Sequence, residues 1–314
     1  MRIAVFGAGA VGGYFGGRLA EAADDVVFIA RGGQLAALRE HGLRVESVVG
    51  DFAVAPAECT DDPEEVGPVE LVLVGTKAWQ VGEAALAMKP LVGPDTTVLP
   101  LQNGVEAPDQ LSAVLGRERV LGGLCRIMSF LAEPGVIRHV GAEPVLTFGE
   151  LDGRETERSQ RILDAFGRAR GMRAELVPDV QVELWRKLQM MAATSAVGAA
   201  ARKPFGVLLE LPETRRLLKA CMDEVWNVAV ARGVALPEEE AERTMAFLEQ
   251  LPADGMTSLY RDMDAGRPSE LEAQLGAVVR LGAEVGVDTP VCGTLYAALL
   301  PSELGARGEL PATD

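Results

Sequence analysis

The chain has 314 residues, 48% of them hydrophobic and 24% charged, and a formal net charge of −16. That length fits two domains, and the composition is that of an ordinary globular protein. The acidic balance excludes nucleic acid and anionic membrane as expected partners, because both call for a basic surface.

Residues 2–6, 26–30, 71–75, 96–99 and 120–124 are continuous apolar or nearly apolar runs rich in β-branched side chains. Such runs suit the strands of a parallel sheet buried on both faces. Helical periodicity falls between them, at 12–23, 33–40, 79–88 and 106–115, so the first half reads as βαβ units. Residues 43–55 have the pattern of a small hairpin inserted after the second helix. Residues 126–132, 136–140 and 144–148 read as antiparallel additions, followed by a helix at 154–170 and a strand at 173–177.

After Pro178 and Asp179 the texture changes. Asp179 is placed to cap a long helix, and helical periodicity then dominates, broken near Pro204, Pro212, residues 233–237, Pro252, Pro268 and Pro290. The tail after Pro301 is expected to be frayed. The expected architecture is α/β, with a Rossmann-type parallel-sheet domain over residues 1–178. A mostly α-helical domain over 179–314 follows it and carries substrate and catalytic groups.

Cys59, Cys125, Cys221 and Cys292 form no C-x-x-C pair, so neither a disulfide framework nor a metal site is expected. A reducing cytoplasm is the natural setting. No uninterrupted run of about 18 apolar residues occurs, which argues against a membrane span.

The first strand leads directly into G-A-G-A-V-G at residues 7–12, with Gly16 one turn further on. Gly7 permits the tight turn, Gly9 lets the backbone approach a pyrophosphate, and Gly12 allows close packing of helix on strand. With Ala8, Ala10 and Val11 they form a turn whose helix N-terminus faces an anion, which makes the segment a dinucleotide-binding candidate. At the end of the second strand an NAD site usually carries a carboxylate for the ribose hydroxyls. This chain has Arg31 there, followed by Gly32 and Gly33. A guanidinium pairs with a 2′-phosphate that a carboxylate would repel, so NADP is the expected cofactor.

Three more stretches bring a family into view: G-T-K-A-W-Q at 75–80, L-Q-N-G at 101–104 and E-L-W-R-K-L at 183–188. With T-S-L-Y-R-D at 257–262 and R-P-S-E at 267–270, they resemble, in the same order, the motifs of the ketopantoate reductases (2-dehydropantoate 2-reductases). The resemblance spans about residues 1–290. It implies an N-terminal dinucleotide-binding domain, a helical C-terminal domain, a cleft between them, and NADPH-dependent reduction of a 2-oxo acid to a 2-hydroxy acid. It also implies that Lys77 and Asn103 line the nicotinamide side, that Glu270 meets the cofactor ribose or Lys187, and that Ser258 contacts substrate. A turn residue before Gly104, a helix-start carboxylate and a capping hydroxyl are the plainer readings of Asn103, Glu270 and Ser258.

The residue chemistry supports a lysine as proton donor. Hydride addition to a ketone leaves an alkoxide, which needs a proton and local positive charge. The chain has only two histidines, His41 and His139, and neither lies in a motif of the histidine-based 2-hydroxy-acid dehydrogenases. Of its 30 basic residues only five are lysine, and Lys187 is the one in the matching helical motif. Arginine stabilises an oxyanion without readily giving up a proton, whereas a desolvated lysine does both. The plainer reading of Lys187 is a surface lysine paired with Glu183 one turn earlier.

The pattern departs from the resemblance on the substrate side. Well-matched ketopantoate reductases carry asparagines four and eight residues after the lysine, on one helical face; here they are Met191 and Ser195. Phe205 and Gly255 also stand where that family often has asparagine. Three alternatives therefore stay open: a relative acting on a more apolar 2-oxo acid or ketone, a β-hydroxy-acid or opine-type dehydrogenase, and a nucleotide-sensing protein. The expected partner is a small 2-oxo acid, with homodimer formation left open.

Overall fold

The computed structural model describes residues 1–310. They form two compact units, one made of Met1–Gln102 and Ala107–Val180, the other of Asn103–Glu106 and the chain from Gln181 onward.

The first unit is built on a five-stranded, all-parallel sheet. It contains β1 (Arg2–Phe6), β2 (Asp25–Ile29), β5 (Glu58–Thr60), β6 (Leu71–Val74) and β7 (Thr97–Pro100), in the order β5-β2-β1-β6-β7. Successive side chains of a strand point to opposite faces, so each apolar run serves two cores. Ile3 and Val5 of β1, Val26 and Phe28 of β2, and Leu71 and Leu73 of β6 enter one core with Phe15 and Leu19 of α1 (Ala10–Glu21). Ala4 and Phe6, Val27 and Ile29, and Val72 and Val74 enter the other, with residues of α3 (Val81–Ala87) and α4 (Ala107–Leu115). Burial on both faces is the physical reason these strands read as continuous apolar runs.

A second sheet packs on the α1 side. It holds the antiparallel hairpin β3 (Leu43–Ser47) and β4 (Phe52–Val54), the long strands β8 (Leu121–Glu133) and β9 (Val136–Glu150), and β10 (Arg173–Leu176). Two expectations change here. The run at 120–124 opens β8 of this second sheet, and its strand pairing with the parallel sheet is the isolated Val98–Val120 bridge. The separate additions expected at 136–140 and 144–148 are one strand, β9, which pairs with β3 along its first part and β10 along its second. The fifth parallel strand is β5, whose three residues Glu-Cys-Thr carry no apolar run to announce it. α2 (Gly32–His41) follows β2, and α5 (Glu157–Arg168) precedes β10.

The second unit is helical: α6 (Val180–Ala201), which starts at the last residue of the first unit, α7 (Phe205–Glu210), α8 (Pro212–Ala231), α9 (Glu240–Leu248), α10 (Ser258–Asp264), α11 (Ala277–Val285) and α12 (Pro290–Arg307). Pro212 and Pro290 each occupy the first position of a helix, where the missing N–H breaks no bond. α12 continues through Pro301 as far as Arg307, so the expected fraying does not begin at that proline. The part of that expectation concerning 311–314 lies outside the described residues. Cys221 of α8 and Cys292 of α12, distant in sequence, bring their buried sulfurs to 3.4 Å. Among the described residues, no helix is long and apolar enough to cross a membrane.

Candidate active site

The glycine turn after β1 is held by its own backbone. Gly7 and Ala8 both donate to the carbonyl of Ile29 at the end of β2, and Gly7 has a φ of +98° that disfavours other side chains. A Cβ on Gly12 would stand 2.3 Å from the Gly7 carbonyl oxygen. A Cβ on Gly75, just after β6, would stand 2.6 Å from Gly12 Cα. These three glycines are required by the protein's own packing. Gly9 is different, because a Cβ there would meet nothing within 4 Å among the described residues. Its bareness serves no internal contact and leaves the backbone open to a partner from outside.

Gly9 caps α1 without a side-chain hydrogen bond, and the first turn of α1 contains no acidic residue. The first amides of a helix lack intrahelical acceptors and carry the positive end of the helix dipole. The turn lies between β1 and β6, the point where the strand order of the parallel sheet reverses, and such a point is where open α/β sheets bind ligands. An open Gly9, bare helix amides and the absence of a competing carboxylate together fit a pyrophosphate.

Gln34 of α2, unmarked in the sequence, braces this turn. Its Nε2 donates to the Ala8 carbonyl at 2.8 Å, and its Oε1 accepts from the Gly135 amide at 2.9 Å. Only the fold brings positions 8, 34 and 135 together, so no local pattern signals the role. Arg31 stands exposed at the cap of α2 directly after β2, and makes no ion pair among the described residues. Lys77 is exposed after β6, with its Nζ 5.7 Å from the centre of the Trp79 ring. Beside the Lys77 loop, the buried Gln102 that follows β7 donates from Nε2 to the carbonyls of Val74 and Thr76, at 2.8 and 3.0 Å.

In the helical unit the structure brings two expected residues into contact. Asn103 Nδ2 donates to Glu270 Oε2 at 2.7 Å. Gly104 makes the approach possible. Its φ is +93°, and a Cβ there would stand 2.6 Å from the Ala273 carbonyl oxygen. Glu270 is buried at the start of a helical segment that contains a π turn, Glu272–Gly276, before α11. π turns recur at functional sites.

Lys187, Met191 and Ser195 follow one another at successive turns of α6, on one face. Lys187 and Met191 are half-buried, and Ser195 is fully buried with a hydroxyl that has no hydrogen-bond partner among the described residues. The neighbouring Arg186 is engaged elsewhere. It pairs with Glu183, and its Nε lies 2.9 Å from Glu240 Oε1. Burial works against the Arg186 charge, and Glu183 and Glu240 more than restore it. Ser258 is the first residue of α10, but the capping hydroxyl belongs to Thr257, which accepts from the Tyr260 amide at 3.2 Å. Phe205 and Gly255 lie together: the Phe205 amide donates to the Gly255 carbonyl at 3.0 Å. Among the described residues, no cluster of side chains suited to a metal ion occurs.

The profile of ketopantoate reductase PanE/ApbA matches residues 3–153, and that of its C-terminal part matches residues 179–303. An uncharacterized oxidoreductase of Bacillus subtilis, YkpB, is 32% identical over 304 residues, covering 95% of this chain and 98% of the relative. The 2-dehydropantoate 2-reductase of Archaeoglobus fulgidus is 32% identical over 295 residues, covering 94% of this chain and 95% of its own. A crystal structure of a PanE/ApbA family ketopantoate reductase from Ralstonia eutropha superposes with a TM-score of 0.89 at 32% identity, over 98% of this chain and 100% of that one. The matches run through both units and include the stretches that carry the lysine, the asparagine and the glycine turn. The chain belongs to the ketopantoate reductase PanE/ApbA family and is an oxidoreductase.

Proposed function

We propose that this protein reduces a 2-oxo acid to the 2-hydroxy acid with NADPH, and that 2-dehydropantoate is the first substrate to test. The observation that carries the reading is the face of α6, where Lys187 is followed by Met191 and by the unpartnered hydroxyl of Ser195. The nicotinamide, when bound, supplies a hydride to the carbonyl carbon of the substrate. Every other task falls to the chain. Lys187 offers positive charge to the carbonyl oxygen and gives it a proton. Arg186 is unsuited to that role, since a guanidinium does not surrender its proton and this one is committed to Glu183 and Glu240.

Glu270, oriented by Asn103, holds Lys187 or the ribose hydroxyls, and Lys77 and Asn103 each serve the nicotinamide. The backbone from Gly7 through Ala8, Gly9, Ala10 and Val11 to Gly12 receives the pyrophosphate, which the open Gly9 supports. Arg31 receives the 2′-phosphate, a reading supported by its exposed position after β2. Ser258 and Ser195 bond the polar groups of the substrate. A cytoplasmic setting is supported by four free cysteines.

A second reading is favoured by Met191, a thioether where a polar substrate would gain from an amide. In that reading the preferred substrate is a 2-oxo acid with an apolar tail. NADPH oxidation measured across a panel of 2-oxo acids, including ketopantoate and its deoxy analogue, tests both. No turnover of any 2-oxo acid would sink the proposal.

A further inference from the structure

We propose that Glu303, on α12, is a positioning residue that sets Glu270 through Ser269; this rests on the reading that Glu270 serves the reaction. Glu303 is only 3% exposed and Ser269 is fully buried. The Glu303 carboxylate accepts the Ser269 amide at 3.0 and 3.1 Å, accepts the Ser269 hydroxyl, and accepts Arg307 Nε at 2.7 Å. Arg307 Nη2 in turn donates to the Ser269 carbonyl at 3.1 Å. The amide, hydroxyl and carbonyl of one residue are thus all gripped by a single ion pair whose carboxylate is buried. The Ser269 oxygen also accepts the Leu271 amide at 3.3 Å, which fixes the entry to the helix. Glu270 lies between these two anchored residues and meets Asn103 Nδ2 at 2.7 Å.

The helix beyond Glu270 is poorly suited to fixing its own start. Its next turn is the π turn Glu272–Gly276, and the buried side-chain amide of Gln274 within it has no hydrogen-bond partner for its nitrogen or its oxygen among the described residues. A buried carboxylate deprived of its partners is strongly destabilised, so the Glu303 cluster favours the arrangement in which all of them are in place. A carboxylate that must hold a reacting group or a ribose needs that kind of support, because small misplacements cost rate steeply. A purely structural Glu303, pinning α12 to its neighbour, would affect stability alone.

The test uses the full chain with Glu303→Gln, Glu303→Ala, Glu270→Gln and the double variant Glu303→Ala with Glu270→Gln. Steady-state kinetics are measured with NADPH and the best-turned-over 2-oxo acid, and amide hydrogen exchange is followed over residues 269–274. Glu303→Ala is expected to lower kcat/KM by about ten- to a hundredfold and to speed exchange at Leu271. Glu303→Gln, which keeps the shape and one acceptor oxygen, is expected to lose less. The double variant should be no slower than Glu270→Gln alone, because the first change acts through the second residue. Additive losses, or a Glu303→Ala enzyme with lowered Tm and unchanged kcat/KM, overturn the proposal while leaving the function intact. Unchanged kinetics in Glu270→Gln removes the role of Glu270 itself, and this proposal with it. Should the alanine variant not fold, Glu303→Gln carries the same cycle.

Discussion

A Cβ on Gly255 would stand 2.9 Å from Cδ2 of the Phe205 ring, and the Phe205 amide already donates to the Gly255 carbonyl. The two positions where related reductases often carry asparagine are therefore in contact, and the phenyl ring takes the room that a side chain at 255 would need. The two departures are expected to be energetically coupled. Gly255→Asn alone should destabilise the protein by about 1–3 kcal/mol through overpacking, read as a lowered urea midpoint. Adding Phe205→Asn should recover part of the loss, since a Cβ at 255 still meets the Pro252 carbonyl oxygen at 2.9 Å. Equal losses with and without Phe205 would show that the positions are independent.

Cofactor choice should follow Arg31. The protein should use NADPH in preference to NADH, and Arg31→Ala should weaken NADPH much more than NADH, since only the former offers a 2′-phosphate to a guanidinium. Equal kcat/KM for both cofactors in the unmodified enzyme would sink this prediction.

Lys187→Ala should lower kcat by about a hundredfold or more while leaving NADPH affinity close to unchanged, as expected for loss of a general acid. Lys187→Arg should restore charge but little turnover. Near-normal kcat in both variants would make Lys187 a helix-surface lysine.

Met191 should bias substrate choice. Ketopantoate carries a terminal hydroxyl, and burying it unpaired against a thioether costs about 1–3 kcal/mol. Apolar-tailed 2-oxo acids should therefore compete with it, and Met191→Asn should raise kcat/KM for ketopantoate relative to its deoxy analogue. A strong preference for ketopantoate before any substitution would mean that the hydroxyl has another partner, for which the unpartnered Ser195 is placed two turns from Lys187.

The buried His139 ring predicts a pH dependence of stability. Its Nε2 faces the Ala142 carbonyl at 3.0 Å and must donate, so Nδ1 accepts from the Ser47 hydroxyl at 2.8 Å. Burial pushes its pKa below the ordinary 6.5; the Ala142 bond opposes this and the charge of Arg18 adds to it. The unfolded chain then takes up the proton first as pH falls. The stability contributed by the neutral ring is complete above 6.5 and declines from there toward the lowered folded value. Urea midpoints measured from about pH 7.5 to about pH 5 should fall less steeply in His139→Gln. An unchanged slope would assign the acid sensitivity to other groups.

Much of the scaffold was legible because its signals are local. Continuous apolar runs mark β1, β2, β6 and β7, which are buried on both sides, and the glycine spacing marks the turn that follows β1. β5 escaped, since three residues at a sheet edge contain no period. The unity of β9 escaped as well, because a strand that changes neighbours partway along changes its burial pattern with them.

By itself the sequence determined the βαβ order, the phosphate-type turn, the helix that carries Lys187 and the absence of a carboxylate at Arg31. These follow from the spacing of neighbouring residues, and spacing is what a linear chain displays. Only the tertiary structure decided that Asn103 meets Glu270 across 167 residues of chain, that Gln34 braces the glycine turn, that Glu303 grips Ser269, and that Phe205 requires a glycine at 255. Each of these depends on two segments that approach one another only when the core closes. No periodicity or short motif encodes such a contact, because neither residue's own neighbours are changed by it.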